Sequence, residues 1–170
     1  MKKLTLYNIV NLIFLAGFIT LLCVQRYLPF TDLEMKDFWF PVLCMTIGIS
    51  LIIKAIIFKS DSSTWFGSIL VFNGAVLFAS YYTPYNYFTL WPTLFSSVAF
   101  ASLMVGIFFR DWMHYKIASF LVIISVSFYL YAFKIINFWW FLGAFFLTLI
   151  VAVFVGGLVP ERIYMNKKEK

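Results

Sequence analysis

Few side chains in this 170-residue sequence could take part in chemistry, and they do not form a recognised catalytic set. His114 is the single histidine and lies in the charged segment RDWMHYK, predicted to be a loop. A solvated histidine is the ordinary outcome there, and a pH sensor is the alternative. One histidine and two separated cysteines offer no set of metal ligands at zinc-site spacing. We therefore expect a non-enzymatic protein with no catalytic, metal-binding or cofactor-binding residue.

The two cysteines, Cys23 and Cys44, belong to apolar segments that are adjacent in the sequence. If those segments pack as an antiparallel hairpin, the two thiols lie at similar depth. A disulfide would then require Cα atoms within about 7 Å of each other. Small apolar core residues are the interpretation we favour, and the sequence leaves the bonding state open.

Three other polar side chains, Asn11, Asn73 and Lys54, stand inside apolar segments. An asparagine amide in lipid favours a partner on another helix, a contact that contributes about 1 kcal/mol. We expect Asn11 and Asn73 to join helices, with a ligand site as the alternative. Lys54 is the deepest cation, and its long stem can carry the charge to the membrane surface. Contact with a lipid phosphate or an acidic partner is the alternative for Lys54.

The elements that must carry these residues are long apolar segments. The sequence is 64% hydrophobic and 12% charged, whereas soluble domains are about half apolar and about a quarter charged. A membrane-spanning helix needs about 20 mostly apolar residues. The segments that meet this requirement are 5–24, 38–57, 65–83, 89–109, 116–134 and 137–158. We predict an all-α, polytopic membrane protein with six transmembrane helices, forming a single membrane domain over residues 1–170. The first segment is expected to remain uncleaved, because no small-x-small site follows it.

The distribution of lysine and arginine predicts the orientation of these helices. Ten of the thirteen lie on the side of both termini, including the basic tail 163–170, and the other three are Arg26, Lys36 and Lys134. Because all loops are short, the positive-inside rule predicts that both termini are cytoplasmic, in the inner membrane of the cell. The excess of cations predicts attraction to anionic lipid headgroups. Basic residues scattered over loops argue against a nucleic-acid partner.

A tryptophan followed by proline, Trp91-Pro92, opens the fourth predicted span. A proline in the first helical turn costs little, because its missing N–H would have no partner within the helix. Thr89 is a suitable N-cap for this helix. The tryptophan ring is favoured at the depth of the lipid headgroups. The dipeptide therefore marks a helix entering the membrane.

The same pattern recurs along the chain at a spacing near 50 residues. The second span opens with Trp39 and Pro41, and Pro41 precedes Pro92 by 51 residues. The sixth span opens with Trp139 and Trp140, without a proline. A period of this length predicts a repeated helix hairpin. The predicted units are 5–59, 65–111 and 116–162.

Residues 66–110 resemble the LiaI/LiaF-like transmembrane region of bacterial cell-envelope stress proteins. The resemblance rests on an apolar helix with Gly67 and Gly74, a short aromatic loop, and a WP dipeptide leading into an apolar helix with Gly106. It implies a membrane hairpin that anchors or regulates a partner in envelope stress. One member type tethers a cytoplasmic membrane-stress protein, and another restrains a sensor kinase through an added soluble domain. In architecture, three short hairpins are also similar to acid-resistance membrane proteins of the HdeD type.

An anchoring or interaction module is the function that we predict, with a membrane protein, a cytoplasmic protein or a second copy of the chain as its partner. Small residues spaced by four support close helix contacts of this kind. They are Ser97 and Ala101; Ser102 and Gly106; and Thr148, Ala152 and Gly156. The alternative is a small-solute or lipid transporter or its membrane subunit, because repeated hairpins are common in transporters. A membrane enzyme that uses His114 or Asp111 is the third class.

Overall fold

The computed structural model describes residues 2–28, 34–83 and 91–158, and the side-chain surroundings of all of these except 2, 3, 36 and 152–158. These ranges form six helices, in agreement with the predicted all-α class. The helices are α1 (Lys2–Tyr27), α2 (Met35–Phe58), α3 (Asp61–Ser80), α4 (Thr93–Phe109), α5 (Trp112–Ala132) and α6 (Phe138–Leu158). The predicted cap Thr89 and the predicted tail 163–170 lie outside the described residues.

Within the described ranges, four helices are long and apolar enough to cross a membrane. They are Leu4–Tyr27, Asp37–Phe58, Asp61–Ser80 and Trp112–Ala132. The apolar run is shorter in α4 and in Phe138–Val151, the part of α6 whose side-chain surroundings are described. At 1.5 Å per residue, α4 extends about 26 Å, slightly less than the ~30 Å hydrocarbon core. Helices of membrane-spanning length and composition are thus present in the described part of the chain, while the six crossings stay a prediction.

Many small and weakly polar side chains occupy the interior beside a few large ones such as Phe38, and most large apolar side chains face outward. Thr64, Ser68 and Ala101 are fully buried, whereas Leu12 is 69% exposed and Trp139 is 77% exposed. In water, each exposed apolar side chain would forgo about 25 cal/mol for every Å² left unburied. In lipid no such gain is available, and small residues at contacts let helices approach closely. This distribution is the one expected of helices surrounded by lipid.

The helices pack in series, each against its neighbours in the sequence. The closest pair is α2 with α3, followed by α4 with α5 and α3 with α4. Helix α1 packs chiefly against α2, and α6 packs chiefly against α5. The core therefore lies among α2 to α5. The predicted repeat units instead join α1 to α2, α3 to α4 and α5 to α6. The three-hairpin repeat stays a prediction, and the closest packing follows different pairs.

Glycines permit the close approach of α2 and α3. A Cβ atom added to Gly48 would lie 2.7 Å from the carbonyl oxygen of Gly67, and one added to Gly67 would lie 2.7 Å from that of Gly48. A Cβ at Gly74 would lie 2.9 Å from the carbonyl oxygen of Pro41. Only a hydrogen fits at these positions, so the two backbones touch directly, as in membrane helix pairs with small residues at the contact.

Pro41 lies inside α2 rather than at its start. The helix begins at Met35, so Pro41 is its seventh residue, and the prediction that it marks the first turn is wrong. Residues 35–37 add a polar turn before the apolar segment, and Asp37 complements the positive end of the helix dipole there. The proline removes one backbone hydrogen bond of the helix.

Two short turns at one end of the bundle have the same design. Lys59 ends α2 and Arg110 ends α4, both in the left-handed conformation with φ of 53°. The next residue caps the following helix. The hydroxyl of Ser60 accepts a hydrogen bond from the N–H three residues later at 3.3 Å. The carboxylate of Asp111 accepts one from the N–H two residues later at 2.9 Å. Left-handed helix ends and short polar caps satisfy backbone groups that the helices leave unpaired.

Candidate functional site

A groove of about 570 Å³ runs between α4 and α5, with Phe72 of α3 on one wall. Its volume lies within the roughly 300–1,000 Å³ of small-molecule sites in proteins. The apolar lining consists of Ala99, Phe100 and Leu103 from α4 and Ala118, Val122, Ile123 and Val126 from α5. The polar lining consists of Ser96, Tyr115, Ser119, Ser125 and Tyr129. An apolar ligand with a small polar part suits such a surface.

Two serines join the walls of the groove near the start of α4. The hydroxyls of Ser96 and Ser125 hydrogen-bond each other, and the hydroxyl of Ser125 also donates to the carbonyl oxygen of Pro92 at 3.3 Å. A hydroxyl has one hydrogen, so Ser96 is the donor to Ser125. Ser125 is only 3% exposed, and these bonds therefore tie α4 to α5 at this end.

Pro92 has a different local role from the predicted one. It is buried and occupies the N-cap position immediately before α4, rather than a position inside the first turn. Its carbonyl oxygen accepts hydrogen bonds from the N–H groups of Phe95 at 3.1 Å and Ser96 at 3.3 Å. Sequence reasoning placed the helix start earlier, because the apolar run begins before the proline.

Trp91 belongs to an aromatic cluster that joins three helices. Its ring centroid lies 4.7 Å from that of Phe128 on α5 and 6.1 Å from that of Phe95 on α4. Phe128 lies 4.9 Å from Phe141 on α6. Such aromatic pairs contribute about 0.5–1.5 kcal/mol each beyond their burial. Trp91 therefore stabilises the bundle, and its placement at headgroup depth stays a prediction.

The other predicted interfacial tryptophans face outward. Trp39, Trp139 and Trp140 are exposed. The side-chain oxygen of Asn137 accepts a hydrogen bond from the N–H of Trp140 at 3.1 Å, which caps the start of α6. These positions are free to contact lipid headgroups, and their membrane depth stays a prediction.

Asn11 contributes to the contact between α1 and α2, as the sequence predicts. The hydroxyl of Ser50 donates a hydrogen bond to the side-chain oxygen of Asn11. One turn nearer the end of α2, the Lys54 Nζ atom lies 5.8 Å from the centroid of the Tyr7 ring. The Tyr7 ring also meets that of Phe58, at 5.9 Å. Lys54 thus makes a cation–π contact with α1, which the sequence interpretations of this residue did not include.

The remaining candidates do not gather into one site. Asn73 donates to the carbonyl of Ile69 in its own helix at 3.0 Å. Its side-chain oxygen is buried without a hydrogen-bond partner in the described part of the chain, so the expected bond to another helix is not made there. Cys23 and Cys44 are both free thiols, Cys23 exposed and Cys44 half-buried.

His114 is half-buried in the first turn of α5, rather than in a solvated loop. Its Nδ1 atom lies 2.9 Å from a carboxylate oxygen of Asp111, which corrects the expectation of an isolated histidine. A cavity of about 200 Å³ beside it is also lined by Asp61 and Trp65 of α3 and by Val105 of α4. This cavity shows that the turns after α2 and α4 lie at the same end of the bundle.

The groove itself was missed by sequence reasoning. Its lining on α5 includes Tyr115, Ser119, Val122, Val126 and Tyr129, which recur with helical spacing. That stripe mixes hydroxyl and apolar side chains and could have been noticed. Whether the stripe faces lipid, a neighbouring helix or an open groove depends on the distance between helices. The sequence of one helix does not specify that distance.

Comparison with known proteins provides no relative for this chain. No protein-family model matches it, and no curated protein or solved structure matches it either. The resemblance to the LiaI/LiaF-like region therefore stays a prediction, and function has to be argued from the surfaces, contacts and charges of the chain.

Proposed function

We propose that this protein is a non-enzymatic, six-pass protein of the inner membrane that anchors or interacts with another protein, in the envelope stress response. Packing supports the six crossings. Helix α4 lies between α3 and α5, which are both long enough to span. The turn at Arg110 and Asp111 is too short to carry α5 away from α4. A helix that packs antiparallel between two membrane-spanning helices lies at the same depth in the bilayer as they do.

The charge distribution supports placing both termini in the cytoplasm. Tyr7 of α1 meets Lys54 and Phe58 of α2, so the start of α1 lies beside the end of α2. Lys59 and Arg110 occupy turns at that same end. Together with the ten-to-three bias of lysine and arginine, this arrangement favours that end as the cytoplasmic face.

The observation that carries the proposed interaction is the exposure of α1. In the apolar part of this helix no residue is buried, and α1 packs chiefly against α2. A Cβ added to Gly17 would meet nothing within 4 Å, and its neighbour Ala16 is also exposed. Exposed small residues let a second membrane helix approach closely. A membrane protein partner would therefore dock on α1, while an acidic cytoplasmic partner would suit the basic loops.

Photo-cross-linking tests this proposal. A cross-linking residue at position 17 is expected to capture one specific protein in cells under envelope stress, and Ile13→Trp, an exposed position one turn earlier on the same face, should weaken that capture. The same cross-linker at Ile150 of α6, which is also exposed, provides the matched position. Recovery of the protein alone from both positions, at rest and under stress, would refute the interaction function. Reporter fusions that place the two termini on opposite sides would refute the topology.

A membrane transporter or transport subunit is the second candidate, and Asn73 supports it. Its buried side-chain oxygen lacks a hydrogen-bond partner within the described residues, and Asn73 follows Phe72, which lines the groove, without lining the groove itself. A polar solute or lipid headgroup could use that acceptor. In proteoliposomes, Asn73→Ala would then abolish flux of the solute or lipid. If vesicles that contain the unmutated protein show the same flux as empty vesicles, the transporter function is refuted.

A further inference from the structure

Several positions of the pairs α2–α3 and α4–α5 correspond at an offset of 51 residues. Pro41 corresponds to Pro92 and Lys59 to Arg110. The two basic residues share a left-handed φ of 53°. In each pair the proline carbonyl oxygen contacts the antiparallel helix at the corresponding position, near Gly74 in the first and at Ser125 in the second. The match thus covers the proline, the basic left-handed residue at the turn and one contact between the helices of each pair.

This correspondence explains why α2 and α3 pack closely along their length, whereas α4 and α5 leave a groove between them. Gly48 and Gly67 bring the backbones of α2 and α3 together. Their counterparts, 51 positions later, are Ala99 and Ala118, and both line the groove between α4 and α5. A methyl group on each facing residue prevents equally close approach. The space that is closed in the first pair is therefore open in the second.

The dimensions of the groove suit a hydrocarbon chain. Its lining on α5 extends from Tyr115 to Tyr129, which corresponds to about 21 Å at 1.5 Å per residue. One leaflet contributes about half of the ~30 Å hydrocarbon core. The groove is therefore long enough for a lipid tail, and most of its lining is aliphatic or aromatic. In a membrane, lipid tails are the molecules that surround this surface.

The Tyr115 end of the groove carries positive charge. Lys116 lies one helical turn before Ser119, which lines the groove, and Arg110 ends α4 at the same end. The structure assigns neither cation an ion pair with another described residue. Asp111, the acid between them, is engaged with His114 and with the N–H of Met113. An anionic group at this end would meet two cations that form no ion pair within the described residues.

We propose that the groove binds one anionic phospholipid, with an acyl chain between α4 and α5 and the phosphate against Arg110 and Lys116. The apolar groove is long enough for an acyl chain, which favours a lipid as the ligand. The cations at one end of the groove favour an anionic headgroup. This site would differ from general attraction to the membrane surface, because binding needs both the groove and the adjacent cations. It does not require the protein partner proposed above.

Native mass spectrometry of the delipidated protein tests this site. Phosphatidylglycerol and phosphatidylcholine with identical chains would be titrated separately, and we expect roughly tenfold tighter binding of the anionic lipid. Val122→Phe should fill the groove and reduce binding of phosphatidylglycerol at least to that of phosphatidylcholine. Ile117→Phe is the matched control, because Ile117 is on the same helix, is similarly exposed at 43% against 51% for Val122, and does not line the groove.

A second pair of variants tests the charges. Arg110→Asn should weaken binding of phosphatidylglycerol without changing that of phosphatidylcholine, while Lys59→Asn should change neither. Asparagine tolerates the left-handed conformation that both positions adopt, so the turns are retained. If Val122→Phe does not fold, Ser119→Leu replaces it, because among the described residues the Ser119 hydroxyl bonds to its own helix, at the carbonyl of Tyr115. Equal binding of the two lipids, equal loss in Lys59→Asn, or unchanged binding in the filled variants would overturn the proposal.

Discussion

Replacing Gly48 with alanine is expected to force α2 and α3 apart. The added methyl carbon would lie 2.7 Å from the carbonyl oxygen of Gly67, 2.7 Å from a methyl carbon of Val71 and 2.8 Å from the backbone nitrogen of Val71. Ordinary van der Waals contact begins at 3.4 Å, about 0.7 Å more than is available. Two of the three obstacles are rigid backbone atoms, so the helices must move rather than one side chain.

The size of the effect follows from that displacement. A gap of about 0.5–1 Å forfeits a quarter to a half of the dispersion energy at each affected contact. Overpacking of this kind costs about 1–3 kcal/mol. Alanine has a higher helix propensity than glycine, and this difference offsets as much as about 1 kcal/mol of the lost stability. We therefore expect a net loss of roughly 1–2 kcal/mol in the free energy of unfolding, because the closest helix pair of the bundle is affected.

The assay is equilibrium unfolding in mixed detergent micelles, followed by circular dichroism. Gly17→Ala and Gly143→Ala are matched controls, because a methyl at either position meets nothing within 4 Å. The unfolding midpoint of each control, measured as the fraction of denaturing detergent, should equal or exceed that of the wild type. Gly67→Ala should resemble Gly48→Ala, and the double variant should cost less than the two single losses together, because one displacement accommodates both methyls. Identical midpoints for Gly48→Ala and Gly17→Ala would refute the reasoning.

Three further predictions concern side-chain bonds and thiols. A double-mutant cycle of Asn11→Ala and Ser50→Ala should give a coupling of about 0.6 kcal/mol in the same titration, and additive losses would contradict their hydrogen bond. Asp111→Ala should lose about 1 kcal/mol with the helix cap, whereas Asp111→Asn should lose less because asparagine also caps; equal losses would show that capping is not the source. In denaturing detergent without reductant, Cys23 and Cys44 should both react with a maleimide, and a mass increase of fewer than two adducts would contradict their free state.

The prolines show how far local sequence patterns reach. The pattern around Pro41 and Pro92 correctly indicates helices that begin nearby. Yet Pro41 is inside its helix, and Pro92 immediately precedes its helix. The difference arises because α2 gains a polar turn at residues 35–37 before its apolar segment. Apolar content locates the part of a helix that suits lipid, whereas the helix ends also depend on capping and on contacts with neighbouring helices.

The asparagines show a similar limit. Asn11 finds a hydroxyl on another helix, but Asn73 bonds to its own backbone. Both stand in apolar segments, so the sequence predicts the same behaviour for each. The geometry of the neighbouring helix decides the outcome, because an amide bonds across helices only where a partner atom lies within reach.

The sequence by itself determined that this chain forms long apolar helices, because its composition leaves too few polar side chains to coat a surface in water and a backbone in lipid must satisfy its own hydrogen bonds. Only the tertiary structure decided which helices touch. Gly48 and Gly67 close one pair of helices, while Ala99 and Ala118 leave a groove in the corresponding pair. Hydropathy does not distinguish glycine from alanine strongly, but their difference in size sets the distance between two backbones.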